Sequence, residues 1–308
     1  MASISFKQLN YALAVAQTLH FKRAAEQCAV SQSALSTAIS ELESQLGVQL
    51  FERDNKKVLV TPVGEAILAK ARAVQLQMND IQQLAQAQAA PLTYPMSVGV
   101  IPTIGPYLLP KVLPAVREEY PDFALTIEEA QSALLVEKVR RGELDTAVLA
   151  LPYATEGLHC FEFWSENLLL VTSADNPLAK ERKVRPEQLK KGELLLLRDG
   201  HCLKDHALAA CRLHPSELDR SLEGASLYTL IQMVAGHMGS TLVPAMALDQ
   251  MLAGSQELVA VPLEEQGPHR RIAFVTRLNY ARVSDIERLI ELFQAQLADC
   301  QLSLAAGG

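Results

Sequence analysis

The densest chemistry in this 308-residue chain lies at Asp199-Gly200-His201-Cys202, with a second thiol at Cys211. A thiol attacks as its thiolate, and the unpaired N–H groups at a helix N-terminus favour that anion. A helix can begin after Asp199-Gly200, which places Cys202 in such a field. The other cysteines, Cys28, Cys160 and Cys300, stand alone. With no CxxC pair, no structural metal is expected, and nothing asks for a cofactor. Taken by themselves, Cys202 and Cys211 read more simply as two unrelated small apolar residues on an amphipathic helix. The chain lacks a phosphate-cradling glycine loop, HExxH and GxSxG, so an enzyme is not expected.

The length suffices for two domains, and 49% hydrophobic with 20% charged residues describes a soluble globular chain. No apolar run of about eighteen residues and no apolar signal core occur, which points to the cytoplasm without membrane contact. The net charge is −7, yet residues 1–90 hold eight Lys+Arg against seven Asp+Glu. The acidity therefore lies downstream, and a nucleic-acid reading of the head must rest on pattern rather than charge.

Such a pattern exists. Phe6, Leu9, Leu13 and Ala16 mark a helix over 5–19, a short helix follows over 22–28, and Ser31 is placed to cap a third over 32–46 ending at Gly47. On that third helix Leu35, Ile39, Leu42 and Leu46 form one apolar stripe, opposite Ser33, Ser36, Thr37, Ser40 and Ser44. Short hydroxyls let a helix lie close to a groove and bond phosphates or base edges. Residues 48–53 and 57–61 then read as a β-hairpin wing carrying Arg53, Lys56 and Lys57. These features predict a winged helix-turn-helix over 1–62.

From Pro62 to about Ala90 the steps Ile67, Ala71, Val74, Met78, Ile81 and Ala85 trace a heptad seam. Residues 63–91 are therefore expected to form a linker and dimerisation helix. Beyond Pro91 apolar runs alternate with helical patterns, a βαβ series implying mainly parallel sheet. The expectation for 92–308 is a two-subdomain α/β regulatory domain of periplasmic-binding-protein type, with a cleft at the strand C-terminal ends.

Phe21-Lys22-Arg23-Ala24-Ala25-Glu26, Val30-Ser31-Gln32-Ser33-Ala34-Leu35-Ser36, Leu42-Glu43, Leu46-Gly47 and Leu50-Phe51-Glu52-Arg53 together resemble the head of LysR-type transcriptional regulators. Ser33 departs from the proline usual there. The likeness covers nearly the whole chain. At residues 99–110, at Glu129-Ala130-Gln131-Ser132 and at 199–205 it narrows to the hydrogen-peroxide-sensing OxyR branch.

That resemblance implies a peroxidatic Cys202 that becomes a sulfenic acid, and a resolving Cys211 that traps it as a disulfide. It further implies peroxide binding by Thr103, Ser132 and His201. Ser132 stands where the branch more often has threonine. An arginine of the Arg270-Arg271 pair would add positive charge, with Arg271 favoured. Implied DNA contacts are Arg23, Ser31, Gln32, Ser33, Ser36, Thr37, Ser40, Arg53, Lys56 and Lys57. Implied partners are double-stranded promoter DNA, further copies of the chain as homodimer or homotetramer, RNA polymerase, and a thiol reductant of glutaredoxin or thioredoxin type. If one helix spans both cysteines they lie about 13 Å apart along its axis, whereas a disulfide needs Cα atoms within about 7 Å. The helix must then unwind on oxidation. Competing expectations are a LysR-type regulator answering to a metabolite in the cleft, and a thiol peroxidase fused to the head.

Overall fold

The computed structural model describes residues 4–54, 57–86, 90–189, 194–214 and 223–306. It comprises two compact units, Met1–Ala85 and Gln86–Gly308.

In the first unit, α1 (Phe6–Thr18) opens on a capping box between Ser5 and Gln8. The short α2 (Phe21–Gln27) leads to α3 (Gln32–Leu46), whose N-cap Ser31 Oγ accepts the Ala34 N–H at 3.2 Å. Gly47 ends α3 at φ +69°, the left-handed value that favours glycine. Leu35, Ile39 and Leu42 are fully buried in one cluster with Val15, Ala24 and Phe51. The wing pairs β1 (Phe51–Asp54) with β2 (Lys57–Val60), antiparallel, Phe51 opposite Val60. It begins three residues later than the pattern predicts. The Glu43 carboxylate accepts the Leu50 and Phe51 N–H groups at 2.8 and 3.1 Å, pinning the approach to the wing onto α3.

Helix α4 (Pro62–Gln86) belongs largely to this unit, and its Leu68 completes the head core. Along it Val74, Met78, Ile81 and Leu84 remain exposed, an apolar face on a single chain. The predicted continuation over 87–89 lies outside the described residues.

The second unit holds two five-stranded sheets. One contains β3 (Met96–Val100), β4 (Leu125–Glu129), β5 (Thr146–Leu151), β6 (Leu158–Glu166) and β12 (Arg270–Arg277), ordered β4-β3-β5-β12-β6. The other contains β7 (Leu168–Ser173), β8 (Leu194–Leu197), β9 (Glu223–Gly224), β10 (Ser240–Pro244) and β11 (Leu258–Pro262), ordered β11-β7-β10-β8-β9. Helices α5 (Gly105–Glu119), α6 (Ser132–Arg141) and α10 (Val283–Ala306) serve the first; α7 (Cys202–Cys211), α8 (Leu227–Ala235) and α9 (Ala245–Leu252) serve the second.

The sheets are mixed, not mainly parallel. Within each, the βαβ strands pair in parallel, but β12 runs antiparallel to β5 and β6, and β7 antiparallel to β10 and β11. The cause is the chain crossing between sheets twice, from β6 through Asn167 into β7 and from β11 back into β12. A strand arriving from the other subdomain needs no helical crossover and enters from the opposite end. The first crossing is direct, with Asn167 alone between β6 and β7, whereas the second takes residues 263–269.

Candidate functional site

Three helix starts converge between the two subdomains. Thr103 lies in the turn before α5, Ser132 is the first residue of α6, and Cys202 is the first residue of α7. With Ile101, Pro102, Gln131, Gly200 and His201 they line one tight, closely packed recess. Thr103, Ser132 and Cys202 are all buried. Gly200 makes the closure possible: at φ +97°, a Cβ there would lie 2.6 Å from Gln131 Oε1. The four predicted residues Thr103, Ser132, His201 and Cys202 thus meet at the C-terminal ends of β3, β4 and β8.

The expectation for Arg271 is corrected. Successive residues on a strand face opposite sides, and on β12 the inward position belongs to Arg270. Its guanidinium is 0% exposed and paired with Glu166 at 2.7 Å. Arg270 Nη1 donates to Thr103 Oγ1 at 3.3 Å and Nη2 to the Thr103 carbonyl at 3.1 Å. Arg271 points outward, 47% exposed, and pairs with Glu162 at 2.7 Å. Glu166 also accepts the Met246 N–H at 2.8 Å, so one buried carboxylate ties Arg270 to the start of α9.

The electrostatics differ from the sequence expectation of a lowered thiol pKa. Burial pushes the Cys202 thiol up, and this outweighs a hydrogen bond from Ser132 and the nearby Arg270 charge, both of which pull it down. Cys211, buried at the other end of α7, is pushed up to about 12 by desolvation. Burial lowers the His201 pKa, favouring the neutral ring at neutral pH. Both cysteines are free, and both ends of α7 are intact helix. Beside the recess opens a cleft of about 350 Å³, lined among others by Thr103, Tyr107, His201, Ser226 and Tyr228.

In the head, Arg23, Ser31, Gln32, Ser33, Thr37 and Ser40 are exposed and Ser36 is half-buried, so the hydroxyl-rich side of α3 faces away from the core. Arg53 and Lys57 lie on the wing strands β1 and β2. Lys56 lies outside the described residues. Cys28 and Cys160 are half-buried, and Cys160 Sγ donates to Thr155 Oγ1 at 3.3 Å.

Comparison with known proteins matches residues 6–65 to the bacterial regulatory helix-turn-helix protein, lysR family, and residues 89–298 to the LysR substrate binding domain. The chain belongs to the LysR family. It is 37% identical over 290 residues to the HTH-type transcriptional regulator EstR of Acinetobacter baylyi, covering 94% of this chain and 96% of that protein. It is 35% identical over 294 residues to the DNA-binding transcriptional dual regulator OxyR of Escherichia coli K12, covering 96% of each. A solved Corynebacterium glutamicum OxyR structure, a cysteine-to-serine mutant with H2O2 bound, is similar at TM-score 0.68 and 34% identity, covering 99% of this chain and 96% of that one.

Sequence reasoning on this LysR-family chain missed Glu166 as the anchor of Arg270. The two are 104 residues apart, and only the strand pairing that sets Arg270 opposite Glu166 joins them. It also passed over Gln131, although the Glu129–Ser132 segment was among the residues carrying the resemblance. The bare Gly200 against it is visible only in space.

Proposed function

We propose that this chain is a hydrogen-peroxide-responsive transcriptional regulator in which oxidation of Cys202 changes how the head meets promoter DNA. The observation that carries the reading is the recess itself: a buried thiol at a helix start, grouped with the Thr103 and Ser132 hydroxyls and His201, with Arg270 bonded to Thr103. Similarity to OxyR proteins, one of them holding H2O2, supports it.

The Cys202 thiolate attacks one peroxide oxygen; the O–O bond breaks, sulfur is oxidised to Cys202–SOH, and hydroxide leaves. Thr103 and Ser132 hold the attacked oxygen in line, while the Arg270 charge, delivered beside Thr103, favours the anions that appear at both stages. Cys211–SH then displaces water from the sulfenic acid to give the Cys202–Cys211 disulfide. Since α7 separates the two thiols by its full length, the disulfide is incompatible with that helix and the subdomain surface must rearrange.

The output is the exposed hydroxyl face of α3, seated in the major groove with Arg53, Lys56 and Lys57 of the wing on phosphates. A head with almost no net charge needs two copies for adequate affinity, and the exposed Val74, Met78, Ile81 and Leu84 of α4 suit pairing with a second chain as dimer or tetramer. A cellular dithiol reductant resets the switch, and RNA polymerase reads its output.

A second reading draws on the EstR similarity and the 350 Å³ cleft beside the recess: a small metabolite bound between the subdomains. One experiment separates them. Thiol mass spectrometry before and after dilute peroxide, with the same samples footprinted on promoter DNA, is expected to give a Cys202–Cys211 disulfide and a shifted footprint. A normal peroxide response in Cys202→Ser refutes the redox reading.

A further inference from the structure

The side-chain bonds of α7 attach it to both subdomains. Near its start, Lys204 Nζ reaches Asp199 at 2.8 Å and Glu223 at 2.6 Å, both within the subdomain that carries α7. At its middle, His206 Nε2 lies 3.0 Å from the carbonyl oxygen of Pro152, which follows β5 of the other subdomain. A carbonyl only accepts, so Nε2 carries the hydrogen and donates. Nδ1 of the same ring is then an acceptor, and it is buried without a hydrogen-bond partner among the described residues.

That arrangement is costly as packing. His206 is 3% exposed, and a leucine or phenylalanine would occupy such a site without burying an unpaired acceptor. What histidine supplies there, and an apolar residue does not, is a donor to the Pro152 carbonyl. Its place matters as much: His206 sits one helical turn after Cys202, on the same face, within the segment that must unwind before Cys211 reaches Cys202.

We propose that His206 is a positioning residue that latches α7 across the subdomain boundary and thereby slows the second oxidation step, disulfide closure, without governing the first. The inference rests on the peroxide reading above for the identity of those steps. The first step, Cys202 thiolate with H2O2 giving sulfenic acid and hydroxide, takes place with the helix intact. The second, Cys202–SOH with Cys211–SH giving disulfide and water, requires Pro152 to lose its partner. Deleting a buried neutral hydrogen bond and leaving its acceptor unpaired shifts such an equilibrium by about five- to tenfold.

The test uses the full-length reduced protein as wild type, His206→Phe and His206→Gln. Phenylalanine fills the site without a donor; the glutamine amide restores one. Sulfenic acid formation is timed by trapping, and disulfide formation by rapid quench and mass spectrometry. His206→Phe is expected to close the disulfide about five- to tenfold faster, with sulfenic acid formation changed less than about twofold. Its midpoint potential should fall by about 20–30 mV, the two-electron equivalent of that destabilised reduced state. Backbone hydrogen exchange over 203–210 should rise in the reduced protein, and His206→Gln should return all these quantities towards wild type. If His206→Phe does not fold, His206→Leu takes its place with the same expectations. Unchanged closure rate and exchange in the apolar variant, or a glutamine variant that behaves like it, overturns the latch. If the wild type forms no Cys202–Cys211 disulfide, the peroxide reading fails instead, and hydrogen exchange in the three proteins alone decides the latch.

Discussion

Two adjacent arginines of the same strand are expected to differ sharply when removed. Arg270 Nε donates to Glu166 at 2.8 Å, with Nη2 2.7 Å from the same carboxylate oxygen, and the guanidinium donates twice to Thr103, both members of the ion pair being almost completely buried. Arg270→Met leaves the Glu166 carboxylate in the interior with the Met246 N–H as its remaining donor among the described residues. Breaking a buried pair from one side costs roughly 3–5 kcal/mol, most of it the stranded charge. For a unit of this size each kcal/mol lowers Tm by about 2–4 °C, so a fall of roughly 6–20 °C is expected. Arg271→Met removes an exposed pair with Glu162 that contributes up to about 1 kcal/mol, and Tm should fall by less than about 4 °C. The double substitution Arg270→Met/Glu166→Leu removes both charges and should recover most of the loss. The assay is thermal unfolding followed by the fluorescence of Trp164, the single tryptophan, two residues from Glu166. Equal Tm shifts for Arg270→Met and Arg271→Met, or a double variant no better than Arg270→Met, refute the reasoning.

Burial keeps Cys211 protonated in the fold up to about pH 12, while in the unfolded chain it ionises near the ordinary 9.0. Between those values the unfolded state binds fewer protons, so stability falls as pH rises. The urea midpoint of reduced wild type should therefore drop more steeply above about pH 9 than that of Cys211→Ala, and parallel slopes count against it. The raised Cys202 thiol predicts that its oxidation by peroxide accelerates from about pH 7 to 9 as the thiolate fraction grows; a plateau already reached below that range contradicts the burial argument. In the head, Ser31→Ala should cost about 1 kcal/mol through the lost N-cap, measured by calorimetry. Thr37→Ala, on the exposed face of α3, should leave stability within about 0.5 kcal/mol of wild type yet weaken promoter binding in a mobility-shift assay. Unimpaired binding would remove that face from the DNA interface.

What could be read without coordinates followed from interactions close along the chain. The apolar stripe Leu35–Ile39–Leu42, the Ser31 cap and the Gly47 stop define α3 because helix periodicity and caps act over three or four residues. The start of a helix at Cys202 was legible from Asp199-Gly200, and so was the argument that a helical 202–211 segment keeps its two thiols apart.

Tertiary structure decided everything that depends on which surfaces meet. Strand pairing across the crossing turned Arg270 inward and Arg271 outward, although the two are chemically identical and adjacent. Burial, a property of the packed subdomains, outweighed the local field at the start of α7 and raised the Cys202 thiol, against the local expectation. The crossings made both sheets mixed where the βαβ rhythm implied parallel ones. The same meeting of subdomains brought His206 to Pro152, a bond between residues 54 apart that no local pattern marks. Short-range rules place a reactive group on its element; the environment that sets its charge, partners and freedom to move comes from chain segments far away in sequence.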